Sequence, residues 1–154
     1  ALPLEVSAPN LVVLNPSTPP QTQAGADITV TWTAKNSGNA SALTPWTERA
    51  VLSTDEWFGN WDDVVLGTVN QTTELAVDGT VTRAVTGQVP WGWQGNYTLF
   101  IGVDAGRSVV ESNEKDNTFS TAINVEYGRP PADLLIGVVN VPASAGTGRP
   151  VDLS

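Results

Sequence analysis

Asp27-Ile28-Thr29-Val30-Thr31-Trp32-Thr33-Ala34-Lys35-Asn36 alternates without a break, Ile28, Val30, Trp32 and Ala34 on one face and Thr29, Thr31, Thr33 and Lys35 on the other. A period of two belongs to a strand with one face buried and one wet. Asn36-Ser37-Gly38-Asn39 then supplies turn residues. This ten-residue stretch therefore predicts a half-buried strand ended by a turn.

The same punctuation recurs outward from it. Asn10–Asn15 is a short apolar run that Pro16, Pro19 and Pro20 should stop, because proline cannot donate to a sheet ladder. Strands are predicted at Trp46–Ser53, Val64–Val69, Thr80–Val89 after the Asp78-Gly79 turn, Tyr97–Asp104 and Thr118–Val125. No stretch has the period of an amphipathic helix. Short, evenly spaced strands broken by Gly, Pro and Asn predict an all-β chain, a β-sandwich of the immunoglobulin-like or fibronectin-type-III-like kind. Tyr97 follows Gly95-Asn96 at the start of a late strand, where a tyrosine-corner hydrogen bond is expected.

The composition narrows the chemistry. Seven basic residues stand against 16 acidic ones, a net charge of −9. Such a surface repels a phosphate backbone, so nucleic acid is not an expected partner, and neither is an anionic membrane. No apolar run approaches the ~18 residues of a membrane span, and no signal segment opens the chain. Cysteine, histidine and methionine are all absent. Disulfides, thiolate metal sites, thiol catalysis, imidazole ligands and the common catalytic triads are thereby excluded. A carboxylate pair such as Asp62 and Glu111 could cleave a glycoside in principle, but a small sandwich offers no obvious deep cleft. The chain reads as non-enzymatic.

An internal echo addresses organisation. Asn10-Leu11-Val12-Val13 returns as Asp133-Leu134-Leu135-Ile136, Pro19 as Pro142, Gly25 as Gly148, and Ile28-Thr29-Val30-Thr31 as Val151-Asp152-Leu153-Ser154, at a constant offset of 123 residues. That period suits one small domain. The expected organisation is a linker remnant over residues 1–8, a sandwich over 9–126, a stiff linker over 127–131 containing Pro130-Pro131, and the start of a second repeat over 132–154. The strands of that second copy, Leu134–Val141 and Pro150–Ser154, are expected to be disordered or paired with another chain.

Four stretches together resemble the CARDB family, the cell-adhesion-related domain found in bacteria: Pro9-Asn10-Leu11-Val12-Val13; Ile28 through Gly38; Val51-Leu52-Ser53-Thr54-Asp55 with Leu66-Gly67; and Gly95-Asn96-Tyr97 with Glu111-Ser112-Asn113-Glu114-Lys115-Asp116-Asn117. The last is the most specific, an Asn-Glu-x-x-Asn run just before the final strand. The resemblance implies an immunoglobulin-like, non-catalytic module, found in tandem in secreted and surface proteins. The ligand of such modules is usually undefined; the partners expected here are neighbouring repeats of the same chain and a cell-surface or polysaccharide ligand, and the location expected is extracellular. The chain departs from the family at Trp57/Phe58/Trp61 and at Pro90-Trp91-Gly92-Trp93, which usually hold small or polar residues.

Three clusters could carry function. Asp55, Asn60, Asp62 and Asp63 offer oxygens within nine residues, with Gly59 allowing a sharp turn. Calcium takes about six to eight oxygen ligands, including carbonyls and water, so it is the cofactor this loop could hold. The spacing is not that of an EF-hand, and the plain alternative is a solvated loop using Asp and Asn for turns. Asp104, Glu111, Asn113, Glu114, Asp116 and Asn117 form a second cluster, read first as a structural turn held by side chains that accept backbone N–H groups. Finally, Trp57, Trp61, Trp91 and Trp93 fall in predicted loops, where flat indole faces could stack on sugar rings. The competing reading is a satellite cluster or a contact with the neighbouring repeat.

Overall fold

Ile28, Val30, Trp32 and Ala34 are all buried, none more than 5% exposed, and they build one wall of the core. A computed structural model describes residues 6–43 and 45–129, and in it this strand spans Asp27–Asn36. The expected repeat over 132–154 and residues 130–131 of the expected linker lie outside the described residues.

Eight strands are described: β1 Leu11–Ser17, β2 Gln21–Gln23, β3 Asp27–Asn36, β4 Trp46–Ser53, β5 Val64–Gln71, β6 Thr80–Gln88, β7 Gly95–Gly102 and β8 Thr118–Glu126. They form a three-stranded sheet, β1-β3-β6, and a five-stranded sheet, β2-β8-β7-β4-β5. All pairings are antiparallel except β2 with β8, Gln21 beside Asn124. The two sheets enclose a core of Leu11, Val30, Trp32, Trp46, Leu52, Leu99, Ile101 and Ile123, each 1% exposed or less. The chain is thus an all-β immunoglobulin-like sandwich.

Two elements depart from expectation. β1 runs through Pro16 to Ser17 instead of stopping before it. The ladder tolerates the proline because the register shifts between Leu14 and Ser17, where Asn15 adopts φ of 47° and takes up the kink. β2 has no alternation to announce it, since three residues are too few to show a period.

Glycines set the closest approaches. A Cβ on Gly67 would come within 2.6 Å of Val85, and one on Gly87 would strike the Leu66 backbone, so β5 and β6 pack at near-backbone distance. Charge is also buried between the sheets. Glu48 on β4 is fully buried and accepts from the Trp32 indole N–H at 2.5 Å and from Arg83 Nε at 3.1 Å. Arg83 also donates to Gln71. Two residues of each sheet are therefore joined by one polar network.

The chain enters and leaves at opposite ends. At entry, Asn39 N–H donates to Ala8 O and Ser112 N–H to Pro9 O, beside the last residue of β3. At exit, Ala24 N–H donates to Glu126 O, beside the first residues of β3. Ten extended residues separate the two, about 33 Å.

Candidate functional site

The β4–β5 loop, residues 54–63, is folded back over the five-stranded sheet. Phe58 anchors it: its ring lies over Gly102, where a Cβ would approach within 2.5 Å, and it meets Phe100 at 5.9 Å between centroids. Gly59 follows with φ of 90°, the conformation that makes glycine the cheap choice at this turn.

Donors of the loop and of Ser53 are spent on both oxygens of Asp55 and on one oxygen each of Asp62 and Asp63. Asp55 Oδ1 accepts from Trp57 N–H at 2.7 Å and Ser53 Oγ–H at 3.1 Å, and its Oδ2 accepts from Asn60 Nδ2 at 2.9 Å. Asp62 Oδ2 accepts from Thr54 N–H at 3.0 Å and from the Thr54 hydroxyl, and it shares the one Ser53 hydroxyl proton with Asp55, lying 3.2 Å from Ser53 Oγ. Asp63 Oδ2 accepts from Gly59 N–H at 2.6 Å. The Thr54 hydroxyl above all holds the Asp62 carboxyl below the usual carboxylate range, against a smaller desolvation effect, with Thr54 N–H and Ser53 also lowering it. Asp62 is therefore an anion at neutral pH.

What remains uncommitted is informative. Among the described residues, seven buried side-chain polar atoms lack a protein partner, and six are oxygens of acidic or amide groups in two places. Asn60 Oδ1, Asp62 Oδ1 and Asp63 Oδ1 belong to this loop; Asn10 Oδ1, Asp116 Oδ1 and Asn117 Oδ1 belong to the entry end. Buried oxygens normally find donors, so grouped exceptions call for a water or a cation. Neither place holds an ion pair: those described are Lys35–Asp78 and Arg83–Glu48. Among the described residues, no group of three or more His, Cys, Asp or Glu is placed to hold a metal ion. A cation here would need the mixture of carboxylate, amide, carbonyl and water oxygens that suits a hard divalent ion.

The second cluster does the structural work expected of a turn. Asp104 accepts from Ser108 N–H at 2.9 Å and Val109 N–H at 2.8 Å, and Asn113 from Lys115 N–H at 3.2 Å. Glu111 accepts from Leu11 N–H and from Asn117 Nδ2 at 2.5 Å, while its own N–H donates to Glu114 at 3.0 Å. Burial pushes the Glu111 carboxyl up to about 7; the Leu11 and Asn117 hydrogen bonds oppose the rise, and the Glu114 and Asp104 charges add to it. Both Glu111 oxygens are committed, Oε2 to Leu11 of β1 and Oε1 to Asn117, which leaves it poorly placed as one half of a catalytic pair with Asp62.

The four loop tryptophans separate into two pairs. Trp57 and Trp61 project from the acidic loop, 75% and 94% exposed. Trp91 lies over Gly25, and Trp93 stacks on Tyr97 at 4.2 Å with 10° between ring planes, both in the β6–β7 connection. Tyr97 Oη accepts from Gln94 N–H at 3.3 Å, a bond back to the preceding backbone of the kind expected there. Trp93 is thus part of a packed corner, and its partner was not legible from spacing. Ser53, Thr54 and Asn10 complete the two oxygen groups, and none stands out in sequence as a site residue without its spatial neighbours.

A family model described as CARDB matches residues 8–121, well over half of the chain. Among solved structures, the chain resembles a CARDB domain from Pyrococcus furiosus crystallised in complex with di-metal ions, with a TM-score of 0.60 and 16% identity over 81% of this chain and 100% of that one. A solution structure of a CARDB domain from the same organism gives 0.56 and 21% identity over 79% and 98%. A β-glucosidase from Erythrobacter marinus shares the fold alone, at 0.50 and 11% identity, over 76% of this chain and 15% of the enzyme. No curated protein matches the chain by sequence.

Proposed function

The chain belongs to the CARDB family, an adhesion-related and non-catalytic kind of domain, and from that premise we propose that it is an extracellular repeat that spaces and positions the domains of a larger surface or secreted protein. The observation that carries this reading is the separation of entry and exit by the length of β3. A unit entered at one end and left at the other adds its own length to a string of units, whereas adjacent termini would fold the string back. The partners are then neighbouring repeats and a cell-surface ligand, with no role for nucleic acid or membrane insertion. Among the described residues no helix is long and apolar enough to cross a membrane. Small-angle scattering on two linked units tests the spacer role: an extended particle is expected, and a collapsed one would count against it.

Calcium stiffening of the acidic loop is part of the same proposal. Asp55, Asn60, Asp62 and Asp63 are the residues that would hold the ion. Support comes from the three partnerless oxygens on Asn60, Asp62 and Asp63, and from the di-metal complex of the Pyrococcus furiosus relative. Bound there, the ion would fix a loop otherwise secured by Phe58 on Gly102 and by its own hydrogen bonds.

A second reading, carbohydrate binding through Trp57, Trp61, Trp91 and Trp93, is favoured by the exposure of the first two rings. Glycan-array binding compared with Trp57→Ala and Trp61→Ala variants tests it. Binding that persists unchanged in both variants, or none above background, removes those two rings as the platform.

A further inference from the structure

We propose a second divalent-cation site at the entry end of the sandwich, formed by Asn10, Asp116 and Asn117 and suited to a calcium-sized ion. It goes beyond the loop site above and uses none of its residues.

These side chains belong to a closed ring of contacts. Asn10 Nδ2 donates to Asp116 Oδ2 at 3.1 Å. The next residue, Leu11, donates its N–H to Glu111 Oε2, and Glu111 Oε1 accepts from Asn117 Nδ2 at 2.5 Å. Asn117 closes the ring through its peptide bond to Asp116. Each of the three proposed ligands also carries one buried oxygen that has no protein partner: Asn10 Oδ1, Asp116 Oδ1 and Asn117 Oδ1. Asn10 turns its NH₂ group toward the Asp116 carboxylate, and Asn117 turns its own toward Glu111 Oε1. Their oxygens are left as acceptors.

Burial separates this from an ordinary acidic turn. Asn117 is only 8% exposed, so water reaches its oxygen poorly. A carbonyl-type oxygen in that position loses its hydration on folding and regains nothing from the protein. A hard cation would satisfy all three oxygens at once, complete its shell with water, and offset the charge of Asp116. Only one ligand is a carboxylate, which places the site in the weak range typical of extracellular modules, about 10⁻⁴ to 10⁻³ M.

The location gives the site a consequence. Asn10 lies where the chain enters the unit, and its own N–H donates to Asn36 Oδ1 at 3.1 Å. Asp116 and Asn117 lie just before β8. A bound ion would tie the entering segment to the last turn and so stiffen the junction with whatever precedes the unit.

Calcium titration of the full chain, followed by NMR at the side-chain amides of Asn10, Asn60 and Asn117, tests the proposal. Saturable shifts at Asn10 and Asn117 are expected, weakened about tenfold or more in Asp116→Asn and retained in Asp62→Asn. Shifts at Asn60 alone would overturn this site while leaving the loop reading intact. Shifts at Asn10 and Asn117 alone would do the reverse. Shifts at Asn10 and Asn117 that survive Asp116→Asn unchanged, or no response at any of the three amides, would overturn the proposal, with water as the partner of these oxygens.

Discussion

Arg83 on β6 reaches across the sandwich to Glu48 on β4, Nε to Oε1 at 3.1 Å, and Glu48 has no exposed surface. The guanidinium and the Trp32 indole N–H are the two donors to this buried carboxylate. Arg83→Met leaves the charge buried with one donor, and a loss of about 3–5 kcal/mol is expected in urea unfolding. Replacing both partners, as in Glu48→Leu with Arg83→Met, should recover most of it. A single variant as stable as the parent would mean the network is not needed.

Gly25 combines φ of 80° with the Trp91 ring lying where a Cβ would stand. Alanine there must strain the backbone and lift the indole. Gly25→Ala should cost about 1–3 kcal/mol and shift Trp91 emission toward the red. Unaltered stability and emission would show that Trp91 does not rest on this glycine.

Exposure sorts the tryptophans by what their loss should do. Trp32→Ala opens a core that is closed around it and should cost about 3–5 kcal/mol. Trp57→Ala and Trp61→Ala remove rings that stand in solvent and should stay within about 0.5 kcal/mol of the parent. Large losses from either would place those rings in contacts that the fold relies on.

Glu111 predicts a pH dependence of unusual sign. Its carboxyl titrates near 7 in the folded chain, above its ordinary value of 4.5. Between those values the folded state holds a proton that the unfolded state has released, so stability from this group falls as pH rises. In chelator, the parent should lose stability relative to Glu111→Gln on going from pH 5 to pH 7. A parent–variant difference that stays constant over that range would contradict the assignment.

How far the sequence could be read follows from what kind of pattern each feature leaves. β3 was legible to the residue, because its alternation is clean and one face is wholly buried. β4 was placed at Trp46–Ser53, yet Glu48 gave no sign of its role, since a charge inside a core is recognised only from its partners. The prolines predict an end to β1 at Pro16, since proline removes a donor, but a bulge at Asn15 lets the strand continue past it. The oxygens of the acidic loop were visible as a group because they are close in sequence. Asn10 and Asn117 are joined only by the fold, 107 positions apart, and no reading of spacing could have paired them.

The central claim is an acidic loop that takes up calcium, and a thermal melt with excess calcium and again with chelator tests it most directly. An ion bound only by the folded chain adds about 2.7 kcal/mol at a hundredfold over its dissociation constant, so the midpoint should rise with calcium. That rise should be reduced in Asp62→Asn, whose partnerless oxygen is one of the three in the loop. Identical midpoints in calcium and chelator would contradict the claim.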